Sequence, residues 1–373
     1  MSTGTTIEWT HMPGFAGGTW NTVNGCTPVS EGCRNCYAAS FASRGLHSKF
    51  VGLTVRRRDA LRDGEKAATR AVFNGVVWLD EESLTIPLRR KRPTCWFVNS
   101  MSDTFHEKVP FDFIDRKVAV AAMCPQHRFL FLTKRPERMA EYLNRSGART
   151  SYYDAFWTFC NDFPHLARQL PDSPETGSPW PLPNVWLGTS VENQETADAR
   201  IPHLLRCHGV RFVSVEPQLG PISLEKVAAA FGGSGSCKYV DPLRGVEHVS
   251  TPVGEKAYPT ARIDWLIQGG ESGPGARPFD VTWARSIRDQ CKAAGVPYFF
   301  KQAGSKPFVG DRTCTECDGD GADPDTGKCT FCFGGQVLGE RFRFRDKKGG
   351  NPAEWPEDLR NCREWPVVGE VSR

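Results

Sequence analysis

Short runs of β-branched and aromatic residues alternate with amphipathic stretches from residue 94 onward, and small polar residues end each run. The strands are predicted at 95–99, 129–133, 185–188, 212–215, 265–268 and 298–300, and the helices at 110–123, 137–144, 194–207, 224–231 and 282–295. Strands that are apolar on both faces are typical of a parallel sheet covered by helices. The pattern predicts an α/β fold, with a full or partial (β/α) TIM-like barrel as the first choice. An open doubly wound sheet is the second choice, because no Gly-x-Gly-x-x-Gly follows the first strand.

Three stretches depart from this rhythm and divide the chain. Residues 1–305 are predicted to hold the barrel. An aromatic and Pro-rich segment at about 146–183 indicates an inserted subdomain or lid, and a Gly-, Ser- and Pro-rich segment at about 232–259 indicates a long loop. Residues 306–340 form a small C-terminal zinc-binding insertion in this prediction, and residues 341–373 form a tail.

Composition and charge narrow the function classes. The chain carries 47 Lys and Arg against 43 Asp and Glu, so its net charge of +4 excludes a uniformly basic nucleic-acid-binding protein. Two local basic runs, 56–58 and 89–92, are each either a solvated face or a phosphate contact. No apolar run approaches the roughly 20 residues of a membrane span, and the first residues lack the pattern of a secretory signal. We expect a cytoplasmic protein with no membrane partner.

Three cysteines, Cys26, Cys33 and Cys36, lie on one short segment that is rich in Gly, Pro, Ser and Asn. The segment follows a short predicted strand and leads into an Ala- and Ser-rich helix. Such a composition does not favour ordinary buried cysteines, although free cysteine is often buried. A zinc site with a distant fourth ligand is one alternative. An iron–sulfur cluster is the favoured one, because three thiolates leave one iron open to bind and activate a small molecule.

A second cysteine group lies near the C-terminus and consists of two Cys-x-x-Cys pairs. The four residues are Cys314, Cys317, Cys329 and Cys332. This spacing predicts a tetrahedral Zn²⁺ site. A closed site with four thiolates is structural, and here it would stabilise a segment too polar to fold on a hydrophobic core of its own.

Polar residues follow the predicted strands, at the edge of the sheet where barrel enzymes collect their reacting groups. They include Asn99, Ser100 and Asp103, then Lys134, then Thr189, Ser190 and Glu192, and finally Glu216 and Glu271. The three glutamates each follow a buried strand. Because an unpaired charge there would be costly, we expect each carboxylate to meet a donor such as a ribose hydroxyl, an ammonium group or a basic side chain.

Several of these residues lie in blocks that carry a family resemblance. The blocks are Gly25-Cys26, Gly32-Cys33, Cys36-Tyr37-Ala38, Phe131-Leu132-Thr133-Lys134-Arg135-Pro136, Gly188-Thr189-Ser190-Val191-Glu192-Asn193, Ser214-Val215-Glu216-Pro217 and Gly269-Gly270-Glu271-Ser272-Gly273. In this order they resemble a family of phage and prophage proteins that is itself similar to radical S-adenosylmethionine (SAM) enzymes and, distantly, to spore photoproduct lyase. The resemblance covers roughly residues 7–305.

The resemblance implies a barrel of the radical SAM type and a [4Fe-4S] cluster held by Cys26, Cys33 and Cys36. It further implies S-adenosyl-L-methionine as cosubstrate, a flavodoxin or ferredoxin as electron donor, and the cytoplasm of a bacterium or a phage-infected host as the setting. The implied cofactor-binding residues are Asn99, Ser100, Asp103, Thr189, Ser190 and Glu192, of which Ser100 and Asp103 would contact the methionine amine and the last three the ribose. The candidate catalytic residues are Tyr37, Lys134, Glu216 and Glu271.

The leading functional hypothesis is a radical SAM enzyme that modifies or repairs a DNA base or a nucleotide. Its DNA component rests on the resemblance and on the two arginine-rich runs. A base inside a duplex would have to be flipped out to reach the site. Two alternatives stay open: a non-catalytic zinc-dependent nucleic-acid-binding protein, and a radical SAM enzyme for a small metabolite or peptide.

Overall fold

The computed structural model describes most of the chain. The described residues are 4–58, 69–162, 164, 181–229, 238–251, 254–273, 275–313, 336–342 and 344–366. Within them, seven parallel strands form one curled sheet, a half-barrel flanked by helices. The strands are β1 (Ala16–Trp20), β2 (Thr94–Val98), β3 (Arg128–Thr133), β4 (Val185–Val191), β5 (Val210–Val215), β6 (Trp265–Gly269) and β7 (Tyr298–Gln302).

The order of the strands across the sheet is their order along the chain. A doubly wound sheet needs a reversal of strand order, so that second choice is wrong and the partial barrel is confirmed. All six strand positions predicted from the apolar runs are confirmed. The apolar runs locate these strands correctly because both faces of each strand are buried.

Six α-helices accompany the sheet in the described residues: α1 (Tyr37–Ala42), α2 (Phe111–Ala122), α3 (Pro136–Asn144), α4 (Ala148–Asp162), α5 (Gln194–Leu205) and α6 (Val281–Ala294). Local sequence sets their ends: a capping box formed by Asn193 and Thr196 begins α5, and Gly295 ends α6 in a left-handed conformation. Short 3-10 helices lie at Glu8–Thr10, Glu31–Cys33, Ser48–Phe50, Glu82–Thr85, Pro87–Arg89, Pro352–Glu354 and Glu357–Leu359. In the described part of the chain, no helix is both long enough and apolar enough to cross a bilayer.

Two hydrophobic cores lie on opposite faces of the sheet. In β2, Trp96 and Val98 pack towards the helices, whereas Cys95 and Phe97 pack on the concave face. The concave core is strongly aromatic, and its rings are those of Trp9, Phe97, Trp186, Phe212, Trp265 and Phe299. Both chain termini help to close it, because the Glu8–Thr10 helix contacts β1, β2 and β7, and the Trp365 indole donates to the Trp9 carbonyl at 3.1 Å.

The helix predicted at 224–231 is wrong for the described residues, 224–229. This segment contains bends and the strand Val227–Ala228, which begins an antiparallel sheet with Lys238–Asp241, Val246–Thr251 and Gly254–Pro259. The long loop predicted at 232–259 is therefore wrong over most of its described part. Polar strands such as Gly254–Pro259, with every residue exposed, carry too little hydrophobic periodicity to be recognised.

The remaining segments pack on the barrel. Within the predicted insertion, α4 is a helix of the outer layer, contacts α2 and α3, and contributes Phe156 and Phe159 to the main core. The tail also packs inward through Trp355 and Leu359. Strands Pro307–Thr313 and Gln336–Arg341 pair with each other and, through the first, with Phe279–Asp280. The four cysteines of the predicted zinc site lie between these two paired strands, outside the described residues.

Two small antiparallel strand pairs, of which the second is a hairpin, complete the fold near the cysteines. Val23–Asn24 pairs with Trp78–Leu79, and Thr54–Arg58 pairs with Thr69–Phe73, both antiparallel.

Candidate active site

The segment that carries the three cysteines, here called the cysteine loop (residues 26–36), lies at the carboxyl edge of the half-barrel. Gly25, just before it, bridges to Ser102, which follows β2. Cys33 ends a 3-10 turn and Cys36 is the residue before α1. The three thiols are half-buried and free of disulfides, and they interact electrostatically with one another. The sequence thus places three soft ligands together at the edge where barrel enzymes react.

Arg135, at the end of β3, holds the first part of the loop. Its guanidinium donates to the Thr27 carbonyl at 3.1 Å and lies 3.9 Å from the Cys26 sulfur. The same side chain pairs with Asp103 at 3.2 Å and with Glu107 at 2.7 Å, so it is fixed in place. Burial, and then the Asp103 carboxylate, raise the pKa of the Cys26 thiol to about 12 although Arg135 opposes them. A thiolate here therefore needs further positive charge, such as a metal supplies.

His106 reinforces this attachment. Its Nδ1 accepts from the Lys108 amide at 3.1 Å, so Nε2 carries the proton and donates to the Thr27 hydroxyl at 2.8 Å. Burial and the nearby Arg135 lower the pKa of His106, which keeps the ring neutral.

Glu192, which follows β4, holds the middle of the loop. Its carboxylate accepts from the Ser30 hydroxyl at 3.0 Å and pairs with Lys134 at 2.5 Å and Arg200 at 3.0 Å. Burial alone would raise the pKa of Glu192, but these two cations outweigh it and hold the pKa below its usual value. The loop approaches so closely that a Cβ on Gly32 would lie 2.3 Å from the Glu192 carboxylate. Glycine is therefore required at this position because a larger side chain would clash with Glu192, and not because of its backbone conformation.

Glu271, which follows β6, holds the end of the loop. It accepts from the Asn35 amide at 3.0 Å and forms a two-pronged pair with Arg277, whose Nε and Nη2 donate at 3.0 and 2.7 Å. Burial is again outweighed by these hydrogen bonds, and the pKa of Glu271 is lowered. The Asn35 amide also donates to the Gly275 carbonyl at 2.7 Å. Loop and strand ends are thus joined by charged hydrogen bonds at both Ser30 and Asn35.

Among the described contacts, Glu216 has no hydrogen bond or ion pair with the cysteine loop. It pairs with Lys301 at 2.6 Å and accepts from the Gln302 amide at 3.2 Å, and both ions keep about a fifth of their side-chain surface exposed. Tyr37 donates to the Ser100 carbonyl at 2.5 Å, lies within electrostatic range of Glu216 and is 58% exposed. These two candidate catalytic residues are accessible to a ligand.

Ser190 and Ser214 lie in register on neighbouring strands. By the two-residue period of a strand they face the concave side, as Trp186 and Phe212 do lower in the same strands. They are the hydroxyls closest along β4 and β5 to the carboxyl edge on that face.

Other predicted cofactor-binding residues use their polar atoms within the scaffold. The Asn99 amide accepts from Lys117 at 2.8 Å and donates to Ser102 at 2.7 Å, and the fully buried Thr189 hydroxyl donates to the Thr133 carbonyl at 2.9 Å. The Ser100 hydroxyl donates to the Asn21 amide oxygen at 3.2 Å. The structure therefore gathers Lys134, Glu192 and Glu271 around the loop, but not Asn99 or Thr189.

Two arginines at the site were not singled out from the sequence. Arg200 follows Glu192 by eight residues and Arg277 follows Glu271 by six. The only sequence signal for them was an arginine six to eight residues after the strand-end carboxylate in two of the three cases, Glu192 and Glu271.

Among the described residues, no group of three or more His, Cys, Asp or Glu side chains is arranged to hold a metal ion. In a [4Fe-4S] cluster each thiolate binds a different iron, so three ligands spread along a loop suit a cluster better than a single ion. The Cys36 sulfur also receives backbone hydrogen bonds from Ala38 and Ala39, which lower its pKa against the larger effect of burial. Such N–H groups are usual neighbours of cluster sulfurs.

A family model described as protein of unknown function, DUF5131, matches residues 4–330. This span includes the cysteine loop and all seven strands of the half-barrel. No curated protein and no solved structure matches the chain.

Proposed function

This chain belongs to the DUF5131 family, and we propose that it is a cytoplasmic radical SAM enzyme that acts on a DNA base or a nucleotide. One observation carries the proposal: the cysteine loop lies on the carboxyl edge of a parallel half-barrel and is fixed there by Arg135, Glu192 and Glu271. In barrel enzymes this edge is where the chemistry takes place.

Cys26, Cys33 and Cys36 would hold the [4Fe-4S] cluster. Such a cluster would supply one electron for the reductive cleavage of SAM into methionine and a 5′-deoxyadenosyl radical. The electron itself comes from an outside donor such as flavodoxin or ferredoxin. The residues present fit this group, because the thiols share one loop and Arg135 offsets part of their negative charge.

The chain's own groups orient the ligands and exclude water. Below the site, the aromatic core with Trp9 and Phe212 closes the concave face and keeps solvent from entering from that side. At the edge, Ser190, Ser214 and the Glu216–Lys301 pair offer hydroxyls and opposite charges that suit a ribose, an ammonium and a carboxylate. Glu192 positions the loop, because its carboxylate oxygens already accept hydrogen bonds from Ser30, Lys134 and Arg200.

Zn²⁺ at Cys314, Cys317, Cys329 and Cys332 is part of the proposal as a structural ion. Its support is the spacing of the cysteines and the pairing of the strands that bracket them, Pro307–Thr313 and Gln336–Arg341.

The test is cofactor turnover. The anaerobically reconstituted full chain is mixed with SAM and dithionite, and 5′-deoxyadenosine is quantified by chromatography. We expect formation that Cys33→Ala abolishes and that Cys160→Ala, a half-buried cysteine on α4, leaves unchanged. No 5′-deoxyadenosine from a protein with full iron content, or equal loss in both variants, would contradict the proposal.

A further inference from the structure

The positive charge of the protein is concentrated beside the cysteine loop. Residues 37–58 and 69–78, here called the basic lobe, contain six Lys and Arg and no Asp or Glu, a net charge of +6. The whole chain has a net charge of +4, so all other residues together carry −2. The basic lobe is therefore a local electrostatic feature that the overall charge conceals.

The basic lobe also holds most of the exposed apolar side chains. Ten large hydrophobic side chains are exposed in the described residues, and seven belong to the lobe: Tyr37, Phe41, Leu46, Val51, Val55, Val76 and Trp78. Single exposed apolar residues are ordinary, but clusters of this kind mark interaction sites.

This surface adjoins the three thiols. The small core of the lobe contains Ala39, Leu53 and Phe73, and Cys26 and Cys36 pack against it. The backbone confirms the attachment, because the Gly75 amide donates to the Cys26 carbonyl at 3.1 Å. A ligand that lies on the basic lobe is thereby beside the candidate active site.

The first strand of the lobe's hairpin carries a run of exposed positive charge. All residues from Val55 to Arg58 are exposed, and in the described residues no carboxylate pairs with Arg56, Arg57 or Arg58. Arg57 lies opposite Arg70 in the antiparallel register, so the exposed strand brings its own cations beside a further cation of the neighbouring strand.

Cations and exposed rings alternate on the same surface. The Arg44 guanidinium lies 5.9 Å from the Phe41 ring, and the Lys49 ammonium, which also pairs with the Asp80 carboxylate, lies 5.7 Å from the Trp78 ring. Proteins that bind single strands combine these two elements, rings that stack on bases and cations that follow the backbone. Paired bases inside a duplex offer no such stacking faces.

We propose that the basic lobe is a binding surface for single-stranded nucleic acid, which it holds beside the cysteine loop. The purpose of this surface rests on the proposed function, whereas binding itself requires no cluster. An acidic protein partner would also meet the charge. The exposed rings next to cations favour the nucleic acid, and the test below separates the two.

The test measures fluorescence anisotropy of a labelled oligonucleotide of about 20 nucleotides, single-stranded or duplex, with the full-length protein at several salt concentrations. The charge variant is Arg56→Glu/Arg57→Glu/Arg58→Glu. Its matched control is Arg89→Glu/Lys91→Glu/Arg92→Glu, three exposed cations that precede β2 at the opposite edge of the sheet. Both variants change the net charge equally.

We expect the lobe variant to bind the single strand at least about tenfold more weakly and to lower the salt slope by about 2, since each lost phosphate contact contributes about 0.7. The control should bind within about twofold of the wild type. Trp78→Ala should weaken binding about fivefold or more, as loss of one stacked base does. Trp157→Ala, on α4 and equally exposed at 43%, should leave binding unchanged.

Three outcomes would overturn the proposal: no binding of the single strand at low salt, equal loss in the two charge variants, or binding of duplex as tight as that of single strand. The first leaves an acidic protein as the partner of the lobe. Failure of the proposed function is distinguishable, because it appears as absent 5′-deoxyadenosine while oligonucleotide binding is retained.

Discussion

The two ends of the half-barrel are built from the same strands in opposite ways. Near their starts, β5 and β6 place Phe212 and Trp265 in an aromatic concave core, against which the Arg128 guanidinium packs 4.9 Å from the Trp186 ring. Just past their ends, the same strands place Glu216 and Glu271, each in an ion pair. Aromatic packing thus dominates at the amino end, and ion pairs dominate at the carboxyl end. In each strand, only a few residues separate the aromatic core residue from the charged residue.

The two ends are also covered differently. The chain termini close the amino end through Trp9 and Trp365, and the contact is largely aromatic. The carboxyl edge is crossed by the cysteine loop, which is attached through polar and charged groups such as Ser30 and Asn35. Truncating a buried aromatic side chain destabilises the protein in proportion to the contacts that are lost. Removing one partner of a buried ion pair instead leaves the other charge unpaired, which is strongly destabilising. Substitutions at the two ends should therefore differ in kind.

The largest loss of stability should come from the aromatic core. Trp265 is fully buried, touches four other rings, and its indole donates to the Glu364 carbonyl at 2.8 Å. Trp265→Ala should lower the free energy of unfolding by about 3–5 kcal/mol, measured by urea denaturation. The matched substitution of the exposed Trp157 should change it by less than about 0.5 kcal/mol. A similar loss in both would contradict the proposed importance of the concave core.

The next largest effect should come from the middle anchor. Glu192→Gln removes the charge that meets Lys134 and Arg200, and should cost about 2–3 kcal/mol at pH 7. Because the folded pKa of Glu192 lies below its usual value of 4.5, its contribution is present above that pH and is lost as pH falls through the folded value. The difference between wild type and variant should shrink below about pH 4.5, and a difference that grows there would refute the ion pair.

A smaller effect is expected from the close contact in the loop. Gly32→Ala should destabilise the protein by about 1–3 kcal/mol, because its Cβ would meet a carboxylate that three donors hold in place. The iron content after reconstitution should fall as well. Gly220→Ala is the control, since its Cβ would meet Asn193 at an ordinary 3.8 Å. Equal iron content in the two variants would show that the loop does not need its close approach to Glu192.

The smallest effect should come from a partly exposed group of ion pairs between the tail and α6. Asp358 pairs with Arg285 and Arg288 of α6 at 3.0 and 2.6 Å, and these hydrogen bonds lower its pKa from 3.8 to about 2. Because the group is partly exposed, Asp358→Asn should cost only about 0.5 kcal/mol at pH 7. That contribution is present above pH 3.8 and is lost as pH falls towards 2. Urea titrations at pH 7 and pH 2 measure it, and an equal difference at both values would contradict the pairing.

The sequence was informative where burial dominates. The main strands follow from apolar runs, and the end of α6 follows from Gly295, because hydrophobic burial and glycine caps leave local signals. The helix predicted at 224–231 failed because pairing between distant segments outweighed local propensity for the strand Val227–Ala228. The closure by Trp9 and Trp365 could not be predicted either, since it joins the two ends of the chain.

The candidate site was predictable in its acidic half and not in its basic half. Glu192, Glu216 and Glu271 stand at strand ends, where barrel topology makes any charge informative. Arg200 lies inside α5, where an arginine is ordinarily a solvated residue, and only the fold reveals that it reaches Glu192. The thiols were found by spacing alone, but their attachment to three strand ends required tertiary structure.

Metal analysis and electron paramagnetic resonance of the anaerobically purified, reduced protein, with and without SAM, would show whether a cluster lies on the carboxyl edge. We expect about four irons and one zinc per chain and a cluster signal that SAM perturbs. Cys33→Ala should lose the iron and keep the zinc. Two zincs and no iron would rule out the cluster and indicate a zinc-dependent binding protein.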